Sequence, residues 1–210
     1  MQSINEQEIS IKGWTSFYYD GDLLALASAV GKPVPTRIGG SLIDTLAVKD
    51  PQHAHPNSLS ARFGRGSFPF HTDGAHHEHV PRYLYMRLVH PESSERKTLI
   101  QDFRNALNEE SSHALSTEMW RFRGGPKTFL SPILGNDFLR LDPCVMSPAI
   151  TGRTKALNIV QETLNRSEII SFGWKRFEVL VLDNHRMVHA RDSGNTMEIE
   201  ERTLERVLII

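Results

Sequence analysis

The chain has 210 residues, 39% hydrophobic and 23% charged, enough to bury roughly 70% of the surface its unfolded form exposes, which excludes a disordered tail or a peptide-sized scaffold. Its 25 acidic and 24 basic groups leave a net charge of −1, and no cluster of one sign stands out, so no nucleic-acid and no membrane partner is expected. Cys144 is the only cysteine, which excludes an intramolecular disulfide and a four-cysteine zinc site and points to a reducing, cytoplasmic setting.

From Met1 to Lys12 the sequence carries Glu and Gln where a signal peptide needs a basic start and an apolar core. No apolar run of about 18 residues occurs, so a membrane span is not expected. No repeat of 20 to 50 residues is present, and residues 1–210 are read as one domain. Asp20 or Asp22 is placed to cap a short helix through Leu23, Leu24, Leu26, Ala27 and Val30, with Gly31 and Pro33 ending it. Dense Pro and Gly between Val34 and Gly66 favour loops and brief strands over helices. Pro81 to His90 and Thr98 to Asp102 read as strands, with Pro91 to Lys97 as a polar turn between them. Ala106 to Phe122 and Thr154 to Asn165 carry apolar residues near helical spacing. Arg176 to Asp183 and Arg202 to Ile210 are the clearest strand signals. Many short strands with a few surface helices predict a mainly β fold with flanking helices and a jelly-roll, double-stranded β-helix core.

Five of the ten histidines, His71, His76, His77, His79 and His90, fall within twenty residues. In Phe68-Pro-Phe-His71-Thr-Asp73-Gly74, residues two apart on extended backbone point to one side, so His71 and Asp73 are placed to converge on one cation. Such a pair alone is common surface decoration. His189 changes its weight: in Val179-Leu-Val-Leu-Asp-Asn-His-Arg-Met-Val-His189-Ala-Arg191 an apolar strand runs through a polar turn into a second apolar step, a setting from which His189 reaches the same point. Two histidines and a carboxylate make the open facial set of non-haem Fe(II) oxygenases, whereas closed structural zinc sites want four protein ligands. Arg202 and Arg206 lie four apart on the terminal strand, on one face with Leu204 and Leu208. An inward guanidinium must find an anion, and its planar fork matches a carboxylate. The plain alternative is exposed ion pairing with Glu200, Glu201 and Glu205.

Together, HTDG at 71–74, Thr98, LDNHRMVHAR at 182–191 and RTLER at 202–206 resemble the Fe(II)/2-oxoglutarate-dependent dioxygenases of the taurine dioxygenase and clavaminate synthase-like superfamily, over roughly residues 56–210. The stretch around Pro81-Arg-Tyr and the DN-to-HAR segment are closer to the clavaminate synthase-like branch, many of whose members oxidise amino acids or their derivatives. The resemblance implies that His71, Asp73 and His189 bind Fe(II). It implies that 2-oxoglutarate chelates the iron, with its 5-carboxylate on Arg202 and the Thr98 hydroxyl. It implies that Arg206 meets an anionic group of a small-molecule substrate. Dioxygen and 2-oxoglutarate then oxidise an unactivated carbon, with succinate and carbon dioxide as co-products. Asp73, which halogenating relatives lack, implies hydroxylation or a related oxidation instead. Asp183 and Asn184 match a turn that shapes the site.

Arg62, with Ser60 and Arg65 just upstream of the histidine motif, is a further substrate-binding candidate. His185, four residues before His189, is a candidate for contact behind the metal or with substrate. His76, His77 and His79 either line an entrance or are solvated, and His53, His55 and His113 are expected at the surface. Trp14, Phe17 and Tyr18 are read as packing residues. The compact run from Asp73 to His189 predicts a reduced lid, and a homo-oligomer in which a second copy completes the pocket stays open. Rival readings are a catalytically silent jelly roll that binds a metal or ligand, a zinc module built on His71 with His76, His77 or His79, and an oxygenase acting on a sulfonate or another non-amino-acid anion.

Overall fold

The computed structural model describes residues 6–47, 51–53, 59–91, 93–125, 127–152, 155–193 and 202–210. In chain order, α1 (Glu6–Lys12) and β1 (Trp14–Tyr18) precede α2 (Leu23–Ser28), β2 (Pro33–Val34), β3 (Asp44–Ala47) and α3 (Leu59–Phe63). Then come β4 (Tyr83–His90), β5 (Ser93–Asp102), α4 (Glu109–Thr117), β6 (Trp120–Gly124), β7 (Lys127–Ser131), β8 (Leu134–Gly135), β9 (Phe138–Leu139) and β10 (Met146–Pro148). The chain closes with α5 (Lys155–Arg166), β11 (Ile170–Lys175), β12 (Glu178–Asp183), β13 (Met187–Arg191) and β14 (Thr203–Ile209).

Local chemistry explains most boundaries. Asp22 caps α2 as its position predicts, accepting from the amides of Leu24 (2.9 Å) and Ala25 (3.1 Å), although the helix stops at Ser28, short of Val30. The turn expected over Pro91 to Lys97 is instead strand from Ser93 onward. Ser94, Arg96 and Thr98 are buried between exposed neighbours, so the inward face of β5 is polar and its period of two carries no hydrophobic signal. The helix expected over Ala106 to Phe122 is divided. Asn108 caps α4 through the Ser111 amide at 2.8 Å, and from Trp120 the alternation of buried Trp120 and Phe122 with exposed Arg121 and Arg123 makes β6. Among the described residues of the loop region Val34 to Gly66 there are a short 3-10 turn at Pro51–His53 and one α-helix, α3. The helix expected from Thr154 is seen as α5 from Lys155, Thr154 itself lying outside the described residues. Arg176 and Phe177 form a turn ahead of β12, Phe177 adopting φ 62°.

All strand pairs are antiparallel. The larger sheet runs β1-β12-β4-β14-β2, with β3 pairing along the other half of the free edge of β14. Facing it is the sheet β11-β5-β13. Leu84, Met86, Leu88, Leu180, Leu182, Leu204 and Leu208 from the first sheet pack against Ile100, Phe172, Trp174 and Met187 from the second, which makes the two-layer jelly roll the sequence predicts. The outer face of the larger sheet, Tyr85, Val179, Val181, Val207 and Ile209, is covered by Ile9 of α1 and Leu23 and Ala27 of α2. A second cluster around Phe103, Leu115, Trp120, Phe122 and Ile133 seats α4, α5 and the small sheet β10-β6-β7 beside the roll. Leu180, fully buried at the centre of β12, tests this packing: Leu180→Ala is expected to cost about 2–5 kcal/mol, read from the midpoint of chemical denaturation.

The two layers set the site. Residues two apart share a face, so Met187 pointing into the inter-sheet core carries His189 and Arg191 with it, and Ile100 carries Thr98 and Arg96. By the same parity Leu204 and Leu208 carry Arg202 and Arg206. One open end of the roll is therefore lined by charged and polar residues from both sheets.

Candidate active site

His71 reaches this end through a two-way backbone bridge: its amide donates to the His189 carbonyl at 2.9 Å and the His189 amide donates to the His71 carbonyl at 3.0 Å. The bridge sets the imidazoles side by side, tilted at 44° with centroids 4.3 Å apart. The Pro69 carbonyl lies 3.0 Å from His71 Nδ1, which assigns the proton to Nδ1 and leaves the Nε2 lone pair for a ligand. Thr72 turns the opposite way, where its hydroxyl accepts from the Leu141 amide at 3.0 Å. Asp73 consequently returns to the His71 side.

The backbone of Asp73 is held from behind. Asn184, 1% exposed, accepts from the Asp73 amide at 3.0 Å and donates to the carbonyls of Asp73 (2.9 Å) and Pro81 (2.8 Å). Gly74 follows at φ +68°, where an added Cβ would stand 2.6 Å from Pro81 Cδ, so only glycine lets the turn close so tightly. Asn184 is more than the shaping turn residue the sequence suggests: it links the HTDG and DN-to-HAR segments directly. Asn184→Ala should weaken Fe(II) binding about 10–100-fold, the usual penalty for losing support behind a ligand, as measured by anaerobic metal titration.

Between the side chains, His189 Nε2 lies 3.6 Å from Asp73 Oδ2. Asp73 Oδ1 accepts from Arg206 Nη1 at 2.8 Å, and Arg206 Nη2 donates to Asp44 Oδ2 at 2.9 Å. Burial alone would raise the Asp73 pKa, but the charge of Arg206 and the flanking imidazoles outweigh it and hold the carboxyl below its ordinary range. Burial, with His71 alongside, pushes His189 down to about 3, so at neutral pH its imidazole is uncharged and able to act as a ligand. Asp73 Oδ2 and His189 Nδ1 are buried with no hydrogen-bond partner among the described residues. Two imidazoles and a carboxylate with an idle oxygen fit a divalent iron better than a closed zinc site. Among the described residues no three His, Cys, Asp or Glu side chains already surround one point; the donors lie side by side, with Arg206 holding one oxygen of Asp73.

The neighbouring part of the same end is cationic. Arg202, 6% exposed, donates from Nη1 to the Arg96 carbonyl at 2.8 Å. Arg191 donates to the Gly64 and Gly66 carbonyls and stacks on Phe68, its guanidinium carbon 3.5 Å from the ring centroid. Burial first, and then the charges of Arg96 and Arg202, bring the Arg191 pKa down to about 9. Thr98 sits opposite Arg191 in the β5–β13 register, and its hydroxyl accepts from Trp174 Nε1 at 3.0 Å, leaving the hydroxyl proton to donate.

The fold thus brings His71, Asp73, His189 and Arg206 into one group and Arg202 and Thr98 to the adjoining inner face. Arg62 is not part of either: it is exposed on α3 and lies beside Cys144. His185 is turned away, its Nε2 3.0 Å from the Val80 carbonyl. His76 and His77 both meet the Thr36 carbonyl, at 2.9 and 3.0 Å, and His53, His79 and His113 are exposed, while His55 lies outside the described residues. Glu205 pairs with Arg87 on the outer side of β14, not with Arg202 or Arg206; Glu200 and Glu201 lie outside the described residues. Sequence reasoning missed Asp44, which faces Arg206 in the β3–β14 register, and the contribution of Arg96 and Arg191.

No family model and no curated protein matches the chain. Solved structures do. An asparagine oxygenase in complex with Fe(II), (2S,3S)-3-hydroxyasparagine and succinate superposes with a TM-score of 0.72 at 17% identity, over 97% of this chain and 76% of that one. The non-haem iron oxygenase OrfP, in complex with Fe, succinate and (3S)-hydroxy-L-Arg, gives 0.72 at 19% identity over 98% and 77%. This chain has the fold of these non-haem iron oxygenases. PvcB from Pseudomonas aeruginosa shares that oxygenase fold at 0.65 and 15% identity, over 96% of this chain and 77% of that one. No helix among the described residues is long and apolar enough to cross a membrane.

Proposed function

We propose that the protein is an Fe(II)/2-oxoglutarate-dependent dioxygenase that hydroxylates an unactivated carbon of a small carboxylate-bearing molecule, an amino acid or a derivative. The observation that carries this reading is the meeting, on inner faces of an oxygenase jelly roll, of His71, Asp73 and His189 with an arginine-lined end only a strand away. His71, Asp73 and His189 would hold the iron, and 2-oxoglutarate would extend its 5-carboxylate toward Arg202 and the Thr98 hydroxyl. Bound iron with 2-oxoglutarate and dioxygen supplies the oxidising power for C–H hydroxylation, 2-oxoglutarate leaving as succinate and carbon dioxide.

The protein's own part is placement. His71 and His189 present ring-nitrogen donors, and Asp73 presents a carboxylate charge kept in place by Arg206 and by the Asn184 clamp on its backbone. Arg202 supplies a charge-matched fork for a carboxylate in a nearly water-free setting, where such a bond is strongest. That solved neighbours of this fold hold hydroxylated asparagine and hydroxylated arginine supports an amino-acid-like substrate for this chain.

A second reading rests on one contact. The Arg206–Asp73 ion pair at 2.8 Å also suits a metal-free jelly roll that binds a ligand without turnover. Anaerobic titration with Fe(II), with and without 2-oxoglutarate, separates the two. The oxygenase shows a weak visible charge-transfer band that needs both components, followed by succinate release in air. Iron binding without that band, or no binding, overturns the oxygenase reading.

A further inference from the structure

Arg206 is oddly furnished for a group that only seeks an anion. Its guanidinium already faces two carboxylates, Asp73 Oδ1 at 2.8 Å and Asp44 Oδ2 at 2.9 Å. If Asp73 serves the iron, its charge belongs largely to the metal, and Arg206 with Asp44 remains as an adjacent pair of opposite sign. Both side chains are mostly buried, 17% and 14% exposed. A simple anion drawn to Arg206 would have to displace Asp44 and leave a carboxylate facing the new negative charge in a poorly solvated place. A zwitterion meets no such penalty, because its negative group takes the guanidinium while its positive group takes the carboxylate. Arg206 also keeps a donor in reserve: its Nε is buried with no partner among the described residues.

The carboxylate is held where it stands. Asp44 lies directly across from Arg206 in the β3–β14 ladder, and the Thr36 hydroxyl donates to Asp44 Oδ2 at 2.8 Å. The Thr36 carbonyl in turn receives His76 Nε2 and His77 Nε2 at 2.9 and 3.0 Å. Those histidines lie just beyond the HTDG turn, so the strap carrying Asp44 is tied to the same turn that presents Asp73. This gives His76 and His77 a positioning task.

We propose that Asp44 is a specificity-determining residue that binds an ammonium group of the substrate, next to the carboxylate taken by Arg206, so that the site selects zwitterionic amino acids over the matching simple acids. The proposal rests on the oxygenase reading above and extends it to a residue with no assigned role. The test is calorimetric titration, without oxygen, of the proteinogenic L-amino acids and of the same carboxylic acids lacking the amino group. It is run on the wild-type protein and on Asp44→Asn, each loaded with Fe(II) and 2-oxoglutarate and checked first for the charge-transfer band. A missing band marks failure of the oxygenase reading, and the same titrations on the unloaded protein then still decide the role of Asp44.

At least one amino acid should bind about tenfold or more tighter than its desamino partner, and Asp44→Asn should erase that preference, weakening the amino acid and, with the facing carboxylate charge gone, tightening its desamino partner. Asp44→Glu, which keeps the charge, should retain part of it, and all three proteins should unfold cooperatively, with Asp44→Asn at the lowest temperature because Arg206 loses a counter-charge. Desamino acids that bind as tightly as their amino acids, a panel in which no amino acid binds, or an Asp44→Asn protein with intact preference would each overturn the proposal.

Discussion

If the proposed oxygenase activity holds, alanine at His71 or at Asp73 is expected to lower succinate release by ~10³-fold or more, the rate equivalent of losing several kcal/mol of metal-dependent stabilisation. The domain should remain folded in both variants. The His71 ring makes a single hydrogen bond, to the Pro69 carbonyl, and the bridge to β13 runs through backbone atoms that alanine keeps. Removing Asp73 leaves Arg206 with Asp44 as a counter-charge, so no guanidinium is stranded, and the Asn184 clamp grips the Asp73 main chain, which is also retained. A cooperative unfolding transition near the wild-type midpoint, together with loss of Fe(II) binding, is the expected pair of results. Succinate release that persists in either variant would remove the metal assignment, because His71 and Asp73 each supply one of the three donors that meet here.

Much of this site is legible in the sequence because its donors obey local parity. His71 and Asp73 need only extended backbone to share a face, and Arg202, just ahead of β14, and Arg206, within it, share one because they keep the parity of Leu204 and Leu208. What local parity cannot convey is which partner a side chain finds across the fold. Asp44 reads as one more polar residue in a loop-rich stretch, since its meaning comes from the β3–β14 register. Arg96 falls in a segment expected as a turn because three inward positions of β5 are polar, which removes the apolar alternation that marks a half-buried strand. The helix boundary near Trp120 fails for a related reason: apolar residues at helical spacing continue past Thr117 into a strand whose own alternation is only two residues deep. Arg62 shows the opposite error, proximity in sequence to His71 without proximity in space, because α3 presents it outward. Tertiary contact, not residue type, decides each of these cases.

Loss of the Arg202 fork raises the KM for 2-oxoglutarate by roughly 30-fold or more, matching the 2 kcal/mol and upward typical of removing one partner from a buried charged hydrogen-bonded pair. Arg202→Ala removes both charge and fork, whereas Arg202→Lys keeps a point charge without two parallel donors and should fall between alanine and wild type. Fe(II) affinity without 2-oxoglutarate should change little, since Arg202 contacts the Arg96 backbone and not the imidazole and carboxylate group. The crowding of Arg96, Arg191 and Arg202 sharpens the expectation. Mutual repulsion contributes to the depressed Arg191 pKa of about 9, so an anion placed among them relieves repulsion as well as forming hydrogen bonds. Thr98→Val offers a graded comparison: it removes one neutral hydroxyl, leaves Trp174 Nε1 without its acceptor, and should raise the KM by less than Arg202→Ala. A KM for 2-oxoglutarate that stays at the wild-type value in Arg202→Ala would place the co-substrate carboxylate elsewhere, with Arg96 and Arg191 the remaining guanidiniums on the same inner face.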